Sequence, residues 1–278
     1  MHSDRIHRAI SADGTEIAGR VHGQGPPLVL FHGTPHDGDL AWEAMVPHLA
    51  DRFTCYLPNA RGKGLSGDSD DHAPPRHDED ATAFVDSIGN SVHVAAWSYG
   101  ALAALGAAAN SDAVASLAIH EPTIIPLMRE DDRAEALDML QKVGAAATDG
   151  RLDDAARAFH PFVANDDELA ALDAEYYQRS GSAFPAWLRA VQASQTYEGP
   201  QSTDPEEMAR ISVPVLLLRG QQTRRATFYA DTERHVAEHV ADPHVRELPD
   251  IGHFAPAVAP EPVADALASF FESVQQPS

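Results

Sequence analysis

Ser98 ends the run Ser91-Val92-His93-Val94-Ala95-Ala96-Trp97 and is followed at once by Tyr99-Gly100-Ala101 and an alanine-rich stretch. A short β-branched apolar run that gives way directly to helix formers describes a sharp strand-to-helix turn. A serine at the apex of such a turn has its hydroxyl pushed into a cleft, where it can act as a nucleophile. The turn is strained, so the positions two before and two after the serine must be small, and Ala96 and Gly100 are. Ser98 also stands at a helix N-terminus, where unpaired N–H groups and the helix dipole favour developing negative charge. An ordinary helix N-cap shares these features. The nucleophilic reading therefore needs a base, an orienting acid and a pair of donors for an oxyanion.

The donors are sought first. His32-Gly33-Thr34-Pro35 directly follows the apolar run Pro27 to Phe31, so the backbone N–H of Thr34 can face a carbonyl oxygen held near Ser98. The N–H of Tyr99, just after the nucleophile, supplies a second donor. Pro35 stiffens this loop, and an X-Pro bond there can be cis. Most of the fifteen histidines lie in polar surroundings and read as solvated. His253 differs, because it follows the last strand-like run in Leu248-Pro249-Asp250-Ile251-Gly252-His253-Phe254. Gly252 lets that loop turn toward the cleft, Phe254 anchors it, and His253 is the candidate base.

These residues need a scaffold that brings strand ends together. Ile6 to Ile10 and Thr15 to Val21 read as strands around the turn Ala12-Asp13-Gly14. Pro27 to Phe31, Phe53 to Leu57, Ser91 to Trp97 and Val114 to Ile119 read as buried parallel strands. Helical segments alternate with them at Asp39 to Leu49, Asp78 to Ile88 and Tyr99 to Ala109. The stretch from about Pro122 to Ile211 is helical throughout, with periodic segments at Asp131 to Val143, Leu152 to Phe162, Asp167 to Arg179 and Phe184 to Ser194. Alternation resumes with strands at Pro214 to Leu218 and Val245 to Leu248 and helices at Thr227 to Val240 and Pro262 to Val274. The pattern predicts an α/β fold with a parallel sheet and helices on both faces. Its helical insertion belongs over the carboxyl ends of the strands, where open α/β sheets bind ligands.

Four motifs in this order, the His-Gly-x-Pro loop, Asn59-Ala60-Arg61-Gly62-Lys63-Gly64-Leu65-Ser66, the serine turn and Gly252-His253-Phe254, resemble the α/β-hydrolase superfamily over nearly the whole chain. Asn59 stands where that family usually has aspartate, a structural departure. The resemblance implies a mostly parallel eight-stranded sheet flanked by helices, with a helical cap after strand 6. Residues 1–122 and 212–278 would form the core and 123–211 the cap. It also implies a triad acid, usually in a Gly-x-x-Asp after the strand that follows the cap. Here that strand runs into Gly220-Gln221-Gln222-Thr223-Arg224-Arg225, with no carboxylate before Asp231. Thr223 holds the expected place and cannot carry the charge. Some relatives, including haloalkane dehalogenases, place the acid after the preceding strand instead. That points to Glu121 of His120-Glu121-Pro122, while Asp231 falls within a helix.

The expected activity is hydrolysis of small to medium carboxylic esters, lactones or thioesters through an acyl-enzyme, with Ser98, His253 and Glu121 as catalytic residues and Thr34 and Tyr99 as oxyanion donors. A serine nucleophile argues against dehalogenase and epoxide hydrolase activity, which use aspartate there. Cofactor-free perhydrolase and carbon–carbon bond hydrolase activities remain alternatives, as does a ligand-binding protein without turnover. Tyr176, Tyr177, Phe184, Trp187 and Tyr197 either line an apolar pocket or pack within the cap. His36-Asp37-Gly38-Asp39 and His77-Asp78-Glu79-Asp80 read as solvated loops rather than metal sites, and no cofactor is called for.

The chain has 278 residues and a net charge of −22, from 42 acidic against 20 basic residues, of which only Lys63 and Lys142 are lysines. That balance disfavours nucleic acid and anionic membranes as partners. It fits either a surface adapted to high salt or a GC-rich genome. Cys55, the single cysteine, lies in an apolar run and reads as core. Met1-His2-Ser3-Asp4-Arg5 has no signal-peptide pattern, so a cytoplasmic protein is expected. Monomer and homodimer are both left open.

Overall fold

A computed structural model describes residues 5–89 and 91–275; Met1 to Asp4, read above for targeting, lie outside the described residues. The chain forms β1 (Ile6–Ile10), β2 (Glu16–Gly23), β3 (Pro27–Phe31), α1 (Gly38–Trp42), α2 (Val46–Leu49), β4 (Thr54–Pro58), α3 (Pro74–Ile88), β5 (Val92–Trp97), α4 (Gly100–Asn110) and β6 (Val114–His120). A helical segment follows: a 3₁₀ turn at Ile125–Leu127, then α5 (Glu130–Thr148), α6 (Leu152–Val163), α7 (Asp166–Ala171), α8 (Ala174–Gly181), α9 (Phe184–Thr196) and α10 (Pro205–Met208). The chain closes with β7 (Pro214–Gly220), α11 (Ala226–His239), β8 (Asp242–Leu248), α12 (Ala255–Val258) and α13 (Pro260–Gln275).

The eight strands form one sheet in the order β1-β2-β4-β3-β5-β6-β7-β8. The pairs β1/β2 and β2/β4 are antiparallel and the rest are parallel. Successive side chains on a strand point to opposite faces. Leu28 and Leu30 of β3, Trp97 of β5 and Leu216 and Leu218 of β7 enter one core. Val29 and Phe31, Val94 and Ala96, and Val215 and Leu217 enter the other. Helices cover both faces, so the central strands are buried and predominantly apolar rather than alternating, with His93, Ser116 and His120 as buried polar exceptions. Cys55 is buried in the first core, and burial pushes its thiol up to about 12.

Several boundaries differ from expectation for local reasons. The helix expected over Asp39 to Leu49 is broken into α1 and α2, with Pro47 in the first turn of α2. The helix expected over Asp167 to Arg179 is two helices. Asp173 leaves helical geometry and its side chain accepts from Tyr176 N, capping α8, while Asn165 and Glu168 form a capping box on α7. Strand β8 begins at Asp242, three residues before the expected Val245. It is an exposed edge strand in which Pro243 is tolerated.

No helix among the described residues is long and apolar enough to cross a membrane. The stretches expected as solvated loops are not. His36 is fully buried, stacked on Trp97 at 4.7 Å with Nε2 2.6 Å from Tyr176 Oη. Asp37 caps α1 through Leu40 N, and Asp39 pairs with Arg20. His77 to Asp80 lie within α3, where Asp80 is buried against Arg61. Among the described residues seven of the fourteen histidines are buried (His32, His36, His72, His93, His120, His160 and His253), where the sequence suggests that most are solvated.

Candidate active site

Ser98 stands between β5 and α4 with φ 58°, the left-handed backbone that the tight turn requires. The need for small neighbours has a direct cause. A Cβ on Gly100 would lie 2.6 Å from His32 O and 2.7 Å from Phe31 O, so the turn packs against the end of β3. A Cβ on Gly33 would lie 2.9 Å from Trp97 O, and this close approach brings the Thr34 loop up to the serine. The Thr34–Pro35 bond is cis. His32 ties that loop to the end of β4, with Nε2 accepting from Ala60 N and Nδ1 within 2.9 Å of Gly33 O. Burial depresses this imidazole to about 3, so it is neutral.

The ends of β5, β6 and β7 are stitched together by backbone hydrogen bonds. Ser98 N donates to His120 O at 2.9 Å, and Glu121 N donates to Leu218 O at 2.9 Å. Glu121 directly follows β6 and also has a positive φ, 49°. Its side chain is buried and fully used: Oε1 accepts from Gly220 N at 2.9 Å, and Oε2 accepts from Thr223 Oγ1 at 3.0 Å and faces His253 Nδ1 at 2.7 Å. Burial alone would raise this carboxyl. The hydrogen bond from His253, the neighbouring imidazoles and the Gly220 amide outweigh that and hold it below its ordinary value. An ionised carboxylate only accepts, so Nδ1 carries the proton. Nε2, 3.0 Å from Ser98 Oγ, is left to accept from the serine hydroxyl.

The structure thus brings Ser98, His253 and Glu121 into one hydrogen-bonded series. Asp231 stands apart on α11, paired with Arg129 and Arg234. Thr34 and Tyr99 both border the cavity that contains Ser98. The His253 loop turns at Asp250, which has φ 57°. Gly252 serves a different purpose from the one expected of it: a Cβ there would meet Asn165 Nδ2 and Glu168 Oε1, both at 2.6 Å. The loop is further pinned by Gln222 N donating to Ile251 O and by Phe254 N donating to Glu168 Oε1.

Three neighbours escaped the sequence. Thr123 Oγ1 lies 3.0 Å from Ser98 Oγ. The Tyr229 ring stacks on His253 at 4.6 Å, its hydroxyl 3.2 Å from Nε2. Glu168 reaches the loop from α7. No local signal marks Thr123 or Tyr229; the capping pattern Asn165-x-x-Glu168 marks a helix start, not a contact with the His253 loop. Asn59 shows why an amide suits its position: Oδ1 accepts from Gly38 N while Nδ2 donates to Ala18 O, a donation that a carboxylate could not make.

Above the serine lies a cavity of about 70 Å³, walled by Met128, Met139, Phe159, Phe162, Val191 and Phe228 among others. Of the aromatic residues considered from sequence, Trp187 lines it. Phe184 packs on Trp187 and Phe159, Tyr176 is bonded to His36, and Tyr177 lies under the Arg157 guanidinium.

A serine at a tight strand-to-helix turn, a buried imidazole–carboxylate pair and an apolar cavity thus meet at the strand ends. Residues 28–266 match the alpha/beta hydrolase family, and the chain belongs to that family. It is similar to the 2-(acetamidomethylene)succinate hydrolase of Mesorhizobium japonicum, at 25% identity over 96% of each chain. A pimeloyl-[acyl-carrier protein] methyl ester esterase of Legionella pneumophila is 32% identical over 36% of this chain and 35% of its own. Among solved structures, an alpha/beta hydrolase of Sphaerobacter thermophilus has a TM-score of 0.71 and 26% identity, covering 95% of this chain and all of its own.

Proposed function

We propose that the protein is a serine hydrolase that cleaves carboxylic esters with a short hydrocarbon arm. The observation that carries this reading is the series Ser98 Oγ, His253 Nε2, His253 Nδ1 and Glu121 Oε2, with spacings of 3.0 and 2.7 Å, at the floor of an apolar cavity. His253 takes the hydroxyl proton as Ser98 Oγ adds to the carbonyl carbon, and the carbonyl oxygen becomes an oxyanion between the Thr34 and Tyr99 amides. Glu121 stabilises the resulting imidazolium. His253 then gives its proton to the departing alcohol, leaving an acyl-serine. Water loses a proton to His253 and attacks that acyl group, and the proton returns to Ser98 as the acid leaves.

Residues 123–211 act in this reading as a cap whose inner face supplies the apolar wall. A cavity of about 70 Å³ is roughly half of one that admits a benzene ring, so it suits about three or four carbons. The esterase among the relatives agrees with the bond type. The test is a series of p-nitrophenyl esters from acetate to decanoate. Turnover should peak at short acyl chains and vanish in Ser98→Ala. Ester turnover that survives Ser98→Ala would refute the reading.

A further inference from the structure

A second cavity, of about 90 Å³, adjoins the first, and Thr34, Tyr99 and Trp187 line both. Its wall is also largely apolar, but unlike the first it includes a lysine and two histidines, Lys63, His72 and His77. Lys63 lines it and is only 9% exposed. The chain is built to turn that lysine inward, because its neighbours Gly62 and Gly64 both have positive φ, at 74° and 48°. A Cβ on Gly64 would lie 2.3 Å from Asn59 Oδ1, so the bend is enforced by packing as well.

Among the described residues the Lys63 ammonium has no hydrogen-bond acceptor and no carboxylate within 4.0 Å. Asp37 acts on it only at longer range. Burial lowers it to about 8, which leaves it mainly charged at neutral pH. Around the same cavity Thr34 Oγ1, His72 Nδ1 and His77 Nε2 are buried without partners. The acidic groups there do not answer the lysine: Arg61 holds Asp80 at 2.7 Å, and burial pushes Asp78 up to about 7. An ammonium that faces a confined cavity without a counter-ion is costly to the fold, as are the unsatisfied polar atoms beside it. A ligand that pairs with them would offset that cost.

We propose that this second cavity is a subsite for a carboxylate carried by the substrate, with Lys63 as its counter-ion and the Thr34 hydroxyl as a hydrogen-bond donor. The inference rests on the serine-hydrolase reading and names its substrate class. Thr34 and Tyr99 line both cavities. An ester with its carbonyl oxygen at those amides sends its hydrocarbon arm into the apolar cavity and its acidic arm toward Lys63. The net charge of −22 repels anions in general, so a preference for an acidic ester has to arise inside the site.

Two matched pairs of esters test this and separate the acyl from the alcohol side. Monoethyl succinate is compared with ethyl 4-methylpentanoate, and carboxymethyl butyrate with isobutyl butyrate. In at least one pair the acidic ester should have the higher kcat/KM by about tenfold or more. In Lys63→Met that ratio should fall to about one, while Lys63→Arg should retain part of it. Because the readout is a ratio within one protein, a general loss of activity in a variant cancels. Preference for the neutral ester in both wild-type pairs overturns the subsite, as does no turnover of either acidic ester or a ratio unchanged in Lys63→Met. Turnover of the neutral esters without an acidic preference would leave the serine-hydrolase reading standing.

Discussion

Thr223 Oγ1 donates to Glu121 Oε2 at 3.0 Å, so the loop after β7 meets the carboxylate that follows β6 beside His253. The loop after β7, where the family resemblance leads one to expect the acid, here contributes a hydroxyl. Against the burial that would raise it, the hydrogen bond from His253, the neighbouring imidazoles and the Gly220 amide hold the Glu121 carboxyl below its ordinary value, and the Thr223 hydroxyl is one more donor to the same group.

Glu121→Gln keeps the size of the side chain and removes its charge. The expected result is a fall in kcat of about 10²- to 10⁴-fold. Asp231→Asn, which only unpairs Arg129 and Arg234 at the surface, should leave kcat within about twofold. Steady-state kinetics of the two variants on one ester decides the matter. The reverse pattern would move the orienting role to Asp231.

Thr223→Val removes one donor to Glu121 and leaves the carboxylate in place. A loss of about 1 kcal/mol of support, roughly fivefold in kcat, is expected, with Thr223→Ser near wild type. Equal damage from valine and serine would mean that the methyl group, not the hydroxyl, matters.

Glu168 joins the helical segment to the His253 loop, accepting from Phe254 N at 2.7 Å and from Asn165 N at 2.9 Å. Glu168→Ala should lower stability by about 1–3 kcal/mol by orphaning these amides. Gly252→Ala, whose methyl would collide with Glu168 and Asn165, should reduce kcat through displacement of His253. Unfolding curves and kcat measured on both variants test the latch. A fully active Gly252→Ala would show that the loop can yield.

Asp78 lines the second cavity, and burial raises its carboxyl from 3.8 to about 7. The folded state therefore holds this proton more tightly than the unfolded chain. The resulting stability is complete below about pH 4 and is lost as pH rises through about 7. Asp78→Asn should accordingly raise the melting temperature by several degrees at pH 8, and the gain should shrink toward zero near pH 4. A gain independent of pH would contradict the assignment.

The sequence made the ends of β5, β6 and β8 legible, because strand periodicity and a serine, a glutamate or a histidine just past a strand end are local features. The missing acid after β7 was legible too, and it led to Glu121. What the sequence could not supply was the company these residues keep. Tyr229 reaches His253 from α11, and Thr123 reaches Ser98 by the turn after β6; such contacts depend on how elements pack. His36 looked solvated among aspartates, yet Trp97 and Tyr176 enclose it from distant parts of the chain. The break at Asp173 was hidden by an unbroken apolar period, since a capping side chain outweighed periodicity there.

Ser98 acting as an activated nucleophile is the central claim, and reaction with a fluorophosphonate measures it directly. Intact mass spectrometry should show one adduct per chain, mapped to Ser98. It should be absent in Ser98→Ala and much slower to form in His253→Ala and Glu121→Gln. Folded wild-type protein that stays unlabelled, or an adduct on another residue, would contradict it.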